Sequence, residues 1–171
     1  MQFRLEGEKV RKPRLYDVCG LPNVYLVNGY RVTRRDGDEY VSVADVDGLH
    51  RAIARHLVLR RKVLGPPEVR FIRKTLDMTQ ADLAKNLSVT SQSVARWEKG
   101  VCEIPGTAEK LLRAVFLAHN LREDDDLHVI QSLLVKAMNE LDQQDELEPS
   151  QASFQLDNTW SETELKTAVG F

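Results

Sequence analysis

The sequence predicts an α+β fold. A small N-terminal antiparallel β module with one helix comes first, then an all-α domain, then an acidic C-terminal helix. Three observations predict it. Between residues 15 and 43, short runs rich in β-branched and aromatic residues are broken by Pro, Asn, Asp and Gly, the pattern of strands and turns. From residue 44 the apolar spacing changes to the threes and fours of helices. Between residues 79 and 100, two short helical patterns stand only two residues apart. The implied divisions are 1–64 for the β module and its helix, 65–121 for the helical domain, 122–148 for the C-terminal helix and 149–171 for an acidic tail.

Residues 1–14 are polar and basic, with Arg4, Lys9, Arg11, Lys12 and Arg14. They suit a solvated terminus or an arm that follows a phosphate backbone. The strand candidates are Leu15–Val18, Val24–Val27, Tyr30–Thr33 and Glu39–Val43. Asn28-Gly29 between two apolar runs is a strong hairpin signal, so a three- or four-stranded antiparallel sheet is expected. All four tyrosines lie in this region, as core or as a face for a partner.

Asp45 to Arg61 reads as a helix, with Leu49, Ala52, Ile53 and Leu57 on one stripe and Asp45 or Asp47 as the cap. His50 and His56 are six positions apart and do not share a face, so no metal pair is expected. Gly65-Pro66-Pro67 is a hinge, and a proline at the first helical position suits the next start. Val69, Ile72 and Leu76 give that helix its inner stripe.

The window Thr79–Gly100 reads TQADLAKNLSVTSQSVARWEKG. Thr79 caps a first helix, with Asp82 in its positive first turn. Leu83, Ala84 and Leu87 form its apolar face. Thr90 or Ser91 caps a second helix in which Val94 and Trp97 point inward. Ser91, Gln92, Ser93 and Arg96 are left outside, and Lys99-Gly100 closes the helix. Two helices joined so tightly cross steeply, and the small Ala84 sits where they touch.

This window resembles the Xre/Cro-repressor family of helix-turn-helix proteins. Thr79, Gln80, Leu83, Ala84, Leu87, Val89, Val94, Trp97, Glu98 and Gly100 match its pattern. Ser88 departs from it, because the family has Gly where the chain turns with a positive φ. The resemblance implies a five-helix DNA-binding domain. It implies base contacts by Ser91, Gln92 and Arg96, with Gln suited to adenine and Arg to guanine. It also implies backbone contacts at Gln80, with Thr90, Ser93 and Lys99 placed beside the same backbone, and a structural ion pair between Arg73 and Glu98. Family members usually bind as homodimers, since one recognition helix reads only a few base pairs.

Beyond Gly100, Thr107 is expected to cap a helix carrying Ala108, Leu111, Leu112, Val115 and Leu117. Residues Leu127, Ile130, Leu134, Ala137 and Leu141 follow heptad spacing, for packing on the same domain or for a dimer contact. Residues 142–171 are acidic, yet they hold Phe154, Trp160 and Phe171, which suits a segment that docks.

The order of β region, helix and Xre-type domain is similar to that of the MqsA/YgiT antitoxin-like regulators. There the β module binds zinc and a toxin, and the C-terminal part binds operator DNA as a dimer. That resemblance implies an autorepressor on a palindromic operator that doubles as the antitoxin of a type II pair, with a toxin held through residues 15–60. The CxxC pairs that hold zinc in that family are absent: Cys19 and Cys102 are the only cysteines. No metal and no cofactor are therefore expected. A protein-interaction module that neutralises its partner through the β region, with DNA binding secondary, is the alternative.

Charge supports a nucleic-acid partner. Residues 1–100 carry 19 Lys and Arg against 12 Asp and Glu, a balance of +7, whereas residues 101–171 carry 5 against 14, a balance of −9. No apolar run approaches the roughly 20 residues needed to span a bilayer, and the first residues lack the apolar segment of a secretion signal, so a cytoplasmic protein is expected. No Ser/His/Asp set, paired carboxylates or phosphate loop suggests an enzyme.

Overall fold

The computed structural model of the 171-residue chain describes residues 13–120 and 151–164, together with residues 132 and 135. Its elements are β1 (Arg14–Leu15), β2 (Val24–Leu26), β3 (Tyr30–Arg35), β4 (Asp38–Val43), α1 (Val46–Arg60), α2 (Pro66–Thr75), α3 (Gln80–Asn86), α4 (Ser91–Glu98), α5 (Gly106–His119), β5 (Ala152–Leu156) and β6 (Trp160–Thr163). The α+β class expected from the sequence is the one observed. None of the described helices is long and apolar enough to cross a membrane. The expected arm at 1–12 and the helix at 122–148, with its heptad stripe, lie outside the described residues.

The chain forms two compact units. The first is Met1–Ile53 with Pro149–Phe171, and the second is Ala54–Glu148. The division between the units falls inside α1. Within the second unit, the end of α1 is bonded to α2 and α5. Arg61 Nε reaches the Glu68 carboxylate at 2.9 Å. Arg113 of α5 donates to the carbonyls of Leu57, Val58, Arg61 and Lys62. Leu57 O also accepts from Arg61 N at 3.1 Å, and a helix end leaves its last carbonyls short of partners, so one guanidinium closes the end of α1. Glu109, one turn before Arg113, neutralises it.

In the first unit the sheet differs from the expected one. It is mixed, in the order β1-β2-β5-β6, and β3-β4 stands as a separate two-stranded sheet. β2 pairs antiparallel with β1 and parallel with β5, with Val24 opposite Ala152 and Leu26 opposite Phe154. The stretch expected as an acidic tail thus supplies two strands. Its aromatics are core: Phe154 is fully buried and Trp160 nearly so, and the Trp160 indole donates to Ala44 O at 2.9 Å.

Asn28-Gly29 is not a hairpin turn. Asn28 extends the β2–β5 ladder with its side chain, accepting from Leu156 N at 2.6 Å and donating to Leu156 O at 3.0 Å. Gly29 has φ +74, and a Cβ there would lie 2.5 Å from the Trp160 ring. The glycine lets an aromatic ring approach the backbone. The hairpin turn is Asp36-Gly37, with φ of 54 and 92. Two positive values suit the twist of an antiparallel ribbon, and they join β3 to β4 with Arg35 opposite Asp38. The start of α1 follows the sequence: Asp45 Oδ1 accepts from Gly48 N at 3.0 Å.

In the second unit Val69, Ile72 and Leu76 are buried as expected, and Phe71 joins them. The cap of α5 differs. The helix begins at Gly106 with Pro105 in the cap position, not at Thr107. Leu111 is exposed, and Phe116 fills the core instead. The buried face runs through Ala108, Leu112 and Phe116, four apart along the helix, and leaves Leu111 outside it.

Candidate nucleic-acid interface

Three successive helices end in the same way, and this sets the geometry of the site. At the end of α2, Asp77 has φ 58, Asp77 N donates to Lys74 O at 3.0 Å and Met78 N donates to Arg73 O at 3.2 Å. At the end of α3, Ser88 has φ 55, with Ser88 N to Lys85 O at 3.3 Å and Val89 N to Ala84 O at 2.9 Å. At the end of α4, Gly100 has φ 71, with Gly100 N to Trp97 O at 3.1 Å and Val101 N to Arg96 O at 2.9 Å. Each is a paired capping motif around a left-handed residue. Ser88 therefore takes the positive φ that its place in the pattern requires, without being glycine.

The starts are set as firmly. Thr79 accepts from Asp82 N at 3.1 Å, while Asp82 Oδ2 accepts from Thr79 N at 2.9 Å. These reciprocal bonds form a capping box, and the Thr79 hydroxyl, donating to Asp82 Oδ2 at 2.6 Å, together with the Thr79 N–H holds the Asp82 carboxyl below its usual range. Thr90 caps α4 by accepting from Ser93 N at 3.1 Å. Between the helices, Leu83, Ala84, Leu87, Val94 and Trp97 are buried. The small Ala84 allows the close crossing.

One carboxylate ties the three helices together. Glu98, at the end of α4, is 4% exposed. It accepts from Arg73 Nε at 2.6 Å and Nη2 at 3.0 Å, and from Gln80 Nε2 at 2.9 Å. Arg73 also donates to Met78 O at 2.7 Å, and Arg70 donates to Glu98 O at 3.2 Å. Burial pushes the Glu98 carboxyl up, but the bonds from Arg73 and Gln80 and the charges of Arg73 and Arg70 outweigh it, leaving it below the ordinary range. The expected Arg73–Glu98 pair is present and larger than a pair. Arg70, half exposed beside Glu98, had no role in the sequence reading. Its position one turn before Arg73 was the signal.

The outward face of α4 carries the polar residues expected there. Ser91, Gln92 and Arg96 are exposed, with Gln92 and Arg96 one turn apart on the same side. Thr90 and Lys99 are exposed at the two ends. Ser93 is half buried, with its hydroxyl 2.9 Å from that of Thr90, so it belongs to the cap. Gln80 is half buried and its amide nitrogen is committed to Glu98. Among the described residues there is no cluster of side chains that would hold a metal ion.

Residues 69–114 match the helix-turn-helix family. No curated protein matches the chain, and no solved structure matches it. Within this chain, α2 to α5 across residues 69–114 are a helix-turn-helix domain of the Xre type, a DNA-binding regulatory module.

Proposed function

We propose that this protein is a sequence-specific transcriptional regulator that binds a palindromic operator as a homodimer and represses its own operon. The observation that carries the reading is the exposed row Ser91, Gln92 and Arg96 on a helix whose opposite face is locked to α2 and α3 through Glu98. A helix held that firmly presents its side chains to the major groove at fixed spacing. Gln92 and Arg96 each offer a two-point contact to a purine. Thr90 and Lys99, exposed at the two ends of α4, are placed to meet the phosphates, with Ser93 beside Thr90 in the cap and Gln80 aligned by Glu98. The test is a footprint on the promoter of the protein's own operon, repeated across salt concentrations. Protection of a symmetric site and steep weakening with salt support the reading, and an affinity insensitive to salt sinks it.

A second reading makes the β module the contact for a toxin, with the protein as its antitoxin. Leu15 and Val18 are large apolar side chains left exposed there. Co-purification of a stoichiometric protein through residues 15–60 is its test, and its absence when the neighbouring gene is co-expressed removes it.

A further inference from the structure

We propose that Arg70 of α2 binds a phosphate of the DNA backbone, and that it shares this phosphate with Gln80 of α3. This rests on the operator reading above and adds to it an anchor on α2, outside the helix-turn-helix pair.

The two side chains meet at one atom, Glu98 Oε2. Gln80 Nε2 donates to it at 2.9 Å, and Arg70 Nε stands 3.7 Å from it. The first is a hydrogen bond, and the second is too long to be one. Both nitrogens flank a single oxygen, so the oxygens of one phosphate can reach both side chains.

The charges leave Arg70 in surplus. Arg73, largely buried, already holds both carboxylate oxygens of Glu98, and one guanidinium neutralises one carboxylate. The Arg70 side chain is 49% exposed. Of its five N–H groups, one on Nη2 donates to Glu98 O at 3.2 Å. That bond fixes the guanidinium at the end of α4 and leaves the rest of the fork for a ligand. Lys74, one turn after Arg70, and Lys99, next to Glu98, are exposed and add to the positive charge. Asp82, the acid nearest Gln80 along the chain, is turned onto Thr79. Gln80 also keeps a donor, because an amide nitrogen carries two hydrogens and Glu98 takes one.

A cation with a planar fork, beside an amide donor, suits two oxygens of a phosphate. Such a contact carries no sequence information and fixes how the protein lies on the duplex. Arg70 and Gln80 both rest against Glu98, the last residue of α4, so the phosphate they hold sets how α4 enters the groove.

The experiment uses the full chain, the operator fragment defined by the footprint and a random-sequence duplex, with affinity measured across salt concentrations. Arg70→Gln keeps a donor for Glu98 O and removes the charge. It is expected to weaken binding to both duplexes by the same factor and to flatten the plot of log affinity against log salt by about 0.9, the share of one phosphate. Arg70→Lys keeps the charge without the fork, and is expected to restore the slope but not the whole affinity. Gln80→Ala is expected to cost less in Arg70→Gln than in the parent, since the two side chains hold one phosphate. Urea denaturation alongside shows that each variant folds. An unchanged slope in Arg70→Gln, even with weaker binding, makes Arg70 structural alone and overturns the proposal. So does a slope that Arg70→Lys fails to restore, a loss confined to the operator, or losses at Arg70 and Gln80 that simply add. Each of these, with steep salt dependence in the parent, leaves the operator reading standing. A parent whose affinity ignores salt overturns both.

Discussion

Arg73 grips Glu98 through a two-point fork, Nε to Oε1 at 2.6 Å and Nη2 to Oε2 at 3.0 Å. The fork joins the first helix of the domain to the end of α4, and Gln80 adds α3 to the same carboxylate. Removing one partner of a buried pair leaves the other charge exposed to a low dielectric. Arg73→Ala is expected to cost about 3–5 kcal/mol, measured by urea denaturation.

The same carboxylate makes stability depend on pH. Glu98 ionises below its ordinary value of 4.5 in the folded domain. Its contribution is complete above that value and disappears as the pH falls through the folded one. Glu98→Gln is expected to be less stable at pH 7 and to lose less on acidification than the wild type. Parallel acid limbs in the two proteins contradict this.

Gln92 and Arg96 are exposed and bear little on folding. Replacing either with Ala is expected to change stability by less than about 0.5 kcal/mol. Each is expected to weaken operator binding by about 1–3 kcal/mol and to relax the preference at one base pair. Wild-type affinity and specificity in Arg96→Ala exclude α4 as the reading helix.

Ser88 turns the chain at φ 55, where a side chain costs about 1–2 kcal/mol. Ser88→Gly relieves that strain but enlarges the freedom of the unfolded chain. A net gain of about 1 kcal/mol is expected, read from the thermal midpoint, with operator affinity unchanged.

Arg113 is 4% exposed and satisfies the end of α1. Arg113→Met is expected to cost about 3–5 kcal/mol, because carbonyls and the Glu109 carboxylate lose their partner. Arg113→Lys is not expected to restore the loss, since one ammonium cannot span the carbonyls that a planar fork reaches.

The parts legible in the sequence were the local ones. Thr79, Ala84, Thr90 and Trp97 act on residues within one or two turns, so their spacing announces their roles. Asp45 could be named as a cap for the same reason. Asn28-Gly29 misled because the pair makes distant contacts: Asn28 bonds to Leu156, 128 positions away, and Gly29 makes room for Trp160. No window of sequence contains both partners. Arg113 was passed over because a lone Arg in a helix reads as surface, and only the fold shows that it faces the open end of another helix. The Gln80 amide was expected at the backbone of DNA, and its bond to Glu98 depends on how α4 returns beside α3.

The parallel pairing of β2 with β5 sets an order of assembly during synthesis. The ribosome finishes residues 54–120 well before Ala152 emerges. At about 5–20 residues per second, the 128 positions from Asn28 to Leu156 take on the order of ten seconds. Throughout that interval the nascent chain carries the DNA-reading helices, while β2 still waits for its central neighbour.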